Sequence, residues 1–90
     1  MKRLDLETHL MQVDLAYSDD YAVLLSGSFQ FYYGYEDVDQ DDNWCFTVKE
    51  NGVETFRIST EWIEKNTNID RLDSPRDYLL IGISIWKLLK

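Results

Sequence analysis

Asn51-Gly52 sits between two stretches in which apolar and polar residues alternate, 44–49 and 53–59, and no other dipeptide in the chain constrains the backbone as strongly. Asn-Gly supplies two consecutive residues that accept positive φ at little cost, which is what a tight turn between antiparallel strands requires. A β-hairpin is therefore expected here, with a sheet built around it. Its register can be argued from the side chains. A two-residue turn would set Phe46 opposite Arg57 and Trp44 opposite Ser59. A three-residue loop, Glu50-Asn51-Gly52, sets Phe46 opposite Phe56 and Trp44 opposite Ile58. A slip of one residue flips every side chain to the other face, so the register that gathers the four large residues together is the expected one.

Upstream, Met11, Val13, Leu15 and Tyr17 alternate with Gln12, Asp14 and Ala16, the pattern of a half-buried strand over residues 10–17. Leu6, Leu10 and Val13 would also suit a helical stripe, which leaves the start of that strand open. After the polar turn Ser18-Asp19-Asp20, an odd-numbered apolar face runs through Tyr21, Val23, Leu25, Phe29, Phe31, Tyr33 and Tyr35. It is either one strand, 21–34, bent at Gly27, or two strands joined by a turn at Ser26-Gly27. The unbroken parity favours one strand, because a two-residue turn would group Leu24 rather than Leu25 with Phe29 and Phe31.

Beyond the hairpin, Ser59-Thr60-Glu61 offers an N-cap and a first-turn acid for a short helix ending near Asn66. Ser74-Pro75-Arg76-Asp77 is a fuller start signal: Ser74 caps, Pro75 suits the first helical position and Asp77 completes a capping box, launching a C-terminal helix over residues 78–89. Leu79, Ile81, Ile83 and Ile85 alternate and are mostly β-branched, which favours a strand, but the start signal and the closing Lys87-Leu88-Leu89-Lys90 outweigh them. The expected fold is α+β: an antiparallel four-stranded meander packed on one face by the C-terminal helix, with a short connecting helix. Leu15, Val23, Leu25, Phe29, Phe31, Trp44, Phe46, Phe56, Ile58, Trp62, Ile81, Ile85 and Leu89 are its expected core. Ninety residues, 44% of them hydrophobic, suffice for one such core, so a single domain spanning residues 1–90 is expected.

The net charge of −8 is unevenly spread. Residues 4–48 hold ten carboxylates and no Lys or Arg, whereas residues 49–90 hold seven acids and seven bases. A field of this sign repels phosphate backbones and anionic lipid and attracts basic surfaces, so direct nucleic-acid or membrane binding is not expected and a basic protein partner is. The lone Cys45 excludes an intramolecular disulfide and suits a reducing, cytoplasmic setting. Asp5 and Glu7 interrupt any signal-peptide core after Met1-Lys2-Arg3, and the longest apolar run, 78–86, contains Gly82 and Ser84 and falls short of the ~20 residues that cross a bilayer.

Chemistry-bearing motifs are sparse. Asp37, Asp39 and Asp41 share the first three ligand spacings of an EF-hand loop, but Asp42 stands where the turn needs Gly and Val48 where a bidentate Glu belongs. His9 is the sole histidine, no Ser lies in a nucleophile-elbow context, and the four glycines make no phosphate cradle. Cys45, between Trp44 and Phe46, suits packing better than nucleophilic work. Neither a catalytic site nor a metal or other cofactor is expected.

What remains is the juxtaposition of tyrosines and acids. Tyr32, Tyr33 and Tyr35 run into Glu36, Asp37, Asp39, Asp41 and Asp42, and Tyr17 and Tyr21 flank Asp19-Asp20. Tyrosine gives contact area with a polar tip, and carboxylates steer and pair with Arg and Lys. Asp19, Asp20, Tyr32, Tyr35, Glu36, Asp37, Asp39, Asp41 and Asp42 are the expected partner-binding residues, the acidic run forming a loop between strands. The expected function is that of an acidic inhibitor blocking a basic partner, such as a toxin nuclease or other nucleic-acid enzyme. Immunity proteins and DNA mimics work in this general way, and the analogy is one of size and charge alone. The competing expectation is a non-catalytic adaptor or homo-oligomeric accessory domain using apolar and sheet-edge contacts.

Overall fold

The structure, a computed structural model, describes residues 15–38, 41–69, 72 and 74–89, with the backbone alone described at 36–38 and 41–43. Five strands, β1 (Ala16–Tyr17), β2 (Tyr21–Ser26), β3 (Phe29–Val38), β4 (Asp41–Glu50) and β5 (Val53–Ser59), precede two helices, α1 (Thr60–Asn66) and α2 (Pro75–Leu89). The strands form one antiparallel sheet in sequence order, each joined to the next. The fold is thus α+β, a meander with a helix on one face, but with five strands rather than four.

The extra strand comes from Gly27. Ser26 pairs with Phe29, so the chain reverses through Gly27-Ser28, and Gly27 takes φ 61° while Ser28 takes no positive φ, the pattern of a turn with glycine in its first central position. The single bent strand over 21–34 is not formed. The face switches at the turn: Leu24 stands opposite Phe31, and Leu25, an expected core residue, is 72% exposed. Of the strand expected over residues 10–17, only Ala16–Tyr17 pairs with β2 among the described residues, and residues 10–14 lie outside them.

The β4–β5 turn is also tighter than expected. Glu50 pairs with Val53, leaving only Asn51 and Gly52 in the turn, at φ 53° and 83°. Two consecutive positive φ values are the signature of a type I′ turn, which matches strand twist better than a longer loop. The parity problem this creates is solved farther along. Lys49 pairs with Glu54 but Val48 pairs with Phe56, so Thr55 is an extra residue in a β-bulge, and Phe46 faces Ile58 rather than Phe56 or Arg57. Phe46, Phe56 and Ile58 still share one face, and the rings of Phe46 and Phe56 meet edge to face at 6.2 Å.

Two rows of side chains cross the inner face. One is Ala22, Tyr33, Phe46 and Ile58; the other is Leu24, Phe31, Val48 and Phe56. Helix α2 lies over them through residues one turn apart: Tyr78 stacks on Tyr33 at 4.9 Å, Gly82 sits against Phe46, and Trp86 meets Phe29 and Phe31 edge-on at 5.3 and 5.1 Å. Its start follows the capping expectation, the Asp77 N–H donating to Ser74 Oγ at 3.3 Å. Helix α1 starts likewise, the Trp62 N–H donating to Ser59 Oγ at 3.1 Å, and it adds Ile63 to the core. Phe31, Phe46, Ile58, Ile81 and Ile85 are buried as expected, each contributing roughly 1.5–3 kcal/mol by leaving water. Leu15, Phe29, Trp44, Phe56 and Trp62 pack only partly against the core. Leu89 is exposed, and Val23 is half-buried on the opposite face, where it pairs with Tyr32. Among the described residues no helix is long and apolar enough to cross a membrane.

Candidate functional site

The reversal at Gly27 decides where the acidic residues go. Tyr21 pairs with Gly34, so the turn Ser18-Asp19-Asp20 lies at the end of the sheet where β3 leaves and β4 enters. Had residues 21–34 been one strand, Asp20 and Glu36 would stand about 50 Å apart, at ~3.3 Å per residue. Instead the two acidic segments share one end of the meander. The ladder also runs into the acidic run: Glu36 pairs with Asn43, Asp37 with Asp42 and Val38 with Asp41. The expected loop over 36–42 is therefore strand for most of its length. Asp39 lies outside the described residues.

Asp19 and Asp20 are exposed, and the Asp20 N–H donates to Ser18 Oγ at 3.1 Å, which fixes the turn beneath them. Around them stand Tyr17, 59% exposed, and Tyr35, 48% exposed and edge-on to Trp44 at 6.0 Å. The expected pair Tyr32 and Tyr35 is divided between the two faces, because residues of opposite parity on a strand point apart. Tyr35 follows Tyr33 on the helix side. Tyr32 lies on the other side, stacked on Tyr21 at 6.3 Å, with its ring 2.8 Å from where a Cβ on Gly34 would stand. Gly34 is what lets Tyr32 lie flat along the strand.

Helix α1 adds acids that sequence analysis did not include. Its first residue, Thr60, donates through Oγ1 to the Trp44 carbonyl at 3.0 Å, which brings Glu61 and Glu64, both exposed, toward the same end. The signal was present in the N-cap at Ser59, but only the pairing of Ser59 with Cys45 ties that cap to β4, next to Trp44. Glu61 accepts a hydrogen bond from Lys65 at 2.7 Å, and this bond, then the charge of Lys65, holds the Glu61 carboxyl below the usual carboxylate range. Two further pairs between described residues are equally local: Arg57 with Glu54 at 2.6 Å and Arg76 with Asp77 at 3.7 Å. In each of these pairs between described residues both partners belong to the charge-balanced half of the chain.

Beneath this end lies a half-buried polar chain. Thr60 gives its one proton to the Trp44 carbonyl, so Tyr33 donates to Thr60 Oγ1, at 2.7 Å. Burial pushes the Tyr33 phenol up from 10.0 to about 12. The chain ties β3, β4 and α1 together and exposes no reactive group. Cys45 is buried on the face away from the helices, opposite Gly34 and Ser59. Among the described residues no three His, Cys, Asp or Glu side chains converge as metal donors. No family model matches the sequence, and neither do the curated proteins or the solved structures compared with it.

Proposed function

We propose that the protein is a non-catalytic acidic inhibitor that occupies the cationic surface of a nucleic-acid-handling protein, such as a toxin nuclease. The observation that carries this is the meeting of Asp19-Asp20 with the 36–42 segment at one end of the sheet, beside the exposed rings of Tyr17 and Tyr35. Carboxylates concentrated on one end steer a basic partner during approach, and rings among them add contact area once it has docked. Asp19, Asp20, Tyr35, Glu36, Asp37, Asp39, Asp41 and Asp42 are assigned to the contact. Tyr32, on the opposite face, supports the backbone at Gly34 instead.

The test compares the protein with its Asp37→Asn/Asp39→Asn/Asp41→Asn/Asp42→Asn variant as bait in lysate of its source cell. The expected result is a basic protein retained by the native chain at about 50 mM salt and released toward about 0.5 M, where the screening length falls to about 4 Å. The variant, folded by circular dichroism, is expected to retain little of it. Equal retention by the two baits rejects a charge-steered contact. If the captured protein binds DNA or RNA equally well in the presence of the bait, the contact is not inhibitory.

A further inference from the structure

At the far end of the sheet a groove of about 380 Å³ opens between the last turns of α2 and the strands, lined by Phe29, Glu50, Thr55, Phe56, Trp86 and Leu89. We infer that this groove is a binding site for a small alkylated organic cation of the quaternary ammonium type, held among aromatic faces against the Glu50 carboxylate. The inference is independent of the proposed inhibitory function, whose residues lie at the opposite end.

The lining dictates that chemistry. Phe29, Phe56 and Trp86 are each half-buried, and they come from β3, β5 and α2, so rings approach from below and above. Phe29 and Trp86 meet edge to face at 5.3 Å, an angle that leaves two differently oriented ring surfaces at one place. An aromatic face carries partial negative charge and attracts cations. Glu50 stands opposite Phe29 in the ladder and so shares its face of the sheet, and it is the only charged residue in the lining among the described residues. Lys49, one residue earlier, alternates to the other face. An anion is repelled here, and a neutral apolar guest would strip water from Glu50 without compensation. A small hydrated cation would leave the apolar walls unused. An alkylammonium head satisfies both the walls and the carboxylate.

The backbone points to the same place. Thr55, the extra residue of the β5 bulge, lines the groove, and its hydroxyl donates to the Val48 carbonyl at 3.4 Å, holding the irregularity in position. Bulges re-aim strands beside binding sites. The volume lies within the roughly 300–1,000 Å³ of small-molecule sites.

The test is a titration of the full chain, followed by amide and indole NMR shifts at constant ionic strength. The probes are choline, its neutral isostere 3,3-dimethylbutan-1-ol, and sodium chloride. Choline is expected to shift the signals of Phe29, Glu50, Thr55, Phe56 and the Trp86 indole, and the isostere to bind about tenfold more weakly. Glu50→Gln, an exposed substitution that leaves the core alone, is expected to weaken choline about fivefold and leave the isostere unchanged. A peptide carrying trimethyl-lysine distinguishes the sources of the same head group: tighter binding of the peptide assigns the site to a modified protein tail, tighter binding of choline to a free small molecule. Equal binding of choline and the isostere overturns the inference, as do shifts at these residues no larger than those from sodium chloride.

Discussion

At Gly82 the missing side chain sets the distance between α2 and the sheet. A Cβ there would overlap the Phe46 ring, which is fully buried beneath Phe31, Phe56 and Ile58 and has nowhere to go. Alanine is the better helix former by about 1 kcal/mol, but overpacking a closed core costs about 1–3 kcal/mol. Gly82→Ala is therefore expected to lower stability by up to about 2 kcal/mol in urea unfolding, and an increase would place the helix farther from the sheet. Tyr33 gives a pH-dependent test. Its phenol is raised from 10.0 to about 12 in the folded chain, so the folded state holds its proton where the unfolded state has lost it. The resulting stabilisation is complete below pH 10.0 and is lost as pH rises toward about 12. Tyr33→Phe removes one hydrogen bond, costing about 1 kcal/mol near neutral pH. It should also flatten the alkaline decline. A variant whose urea midpoint falls with pH as steeply as the native chain would show that Tyr33 is not the group responsible.

Strand β5 shows how an element absorbs a misfit between turn chemistry and side-chain pattern. The Asn51-Gly52 turn alone would put Phe56 and Ile58 on the solvent face, and the bulge at Thr55 returns them to the core. Deleting Thr55 is expected to leave Val48 opposite Phe56 and Phe46 opposite Ile58 in a regular ladder, with stability changed by about 1 kcal/mol or less. Deleting Arg57 instead flips Ile58 outward, and loss of the cooperative melt is expected. Similar melting temperatures for the two deletions would refute the register. The bulge and the Arg57–Glu54 pair also blunt the exposed edge of β5, which weighs against an adaptor working through sheet-edge contacts. The turn dipeptide and both helix caps were legible in the sequence because each is a local signal with a local cause. Gly27 was not. Tyr21, Val23 and Leu25 are apolar although they lie on the outer face, Tyr21 being stacked on Tyr32, so alternation could not tell inside from outside. The same ambiguity hid the candidate site: the acidic segments were visible in the sequence, but their meeting depends on the reversal at Gly27.

Across the whole molecule the concentration of charge has an energetic cost that can be measured. The ladder sets Asp37 opposite Asp42, and like charges at opposed positions destabilise an antiparallel pair by about 0.2–1 kcal/mol. Asp42→Asn is expected to raise stability by that amount at low salt. The gain should vanish toward about 0.5 M, where screening reaches down to about 4 Å. At the charge-balanced end Glu54→Gln, which breaks the exposed pair with Arg57, is expected to act in the opposite sense and by about 0.5 kcal/mol or less. Solubility does not require this arrangement, since acids scattered over the surface serve it without opposing one another across a ladder. Under the proposed function the same Asp42→Asn change that stabilises the fold should weaken capture of the basic partner. If Asp42→Asn leaves stability unchanged at low salt, these carboxylates do not feel one another, and the concentrated field needed to steer a partner is absent.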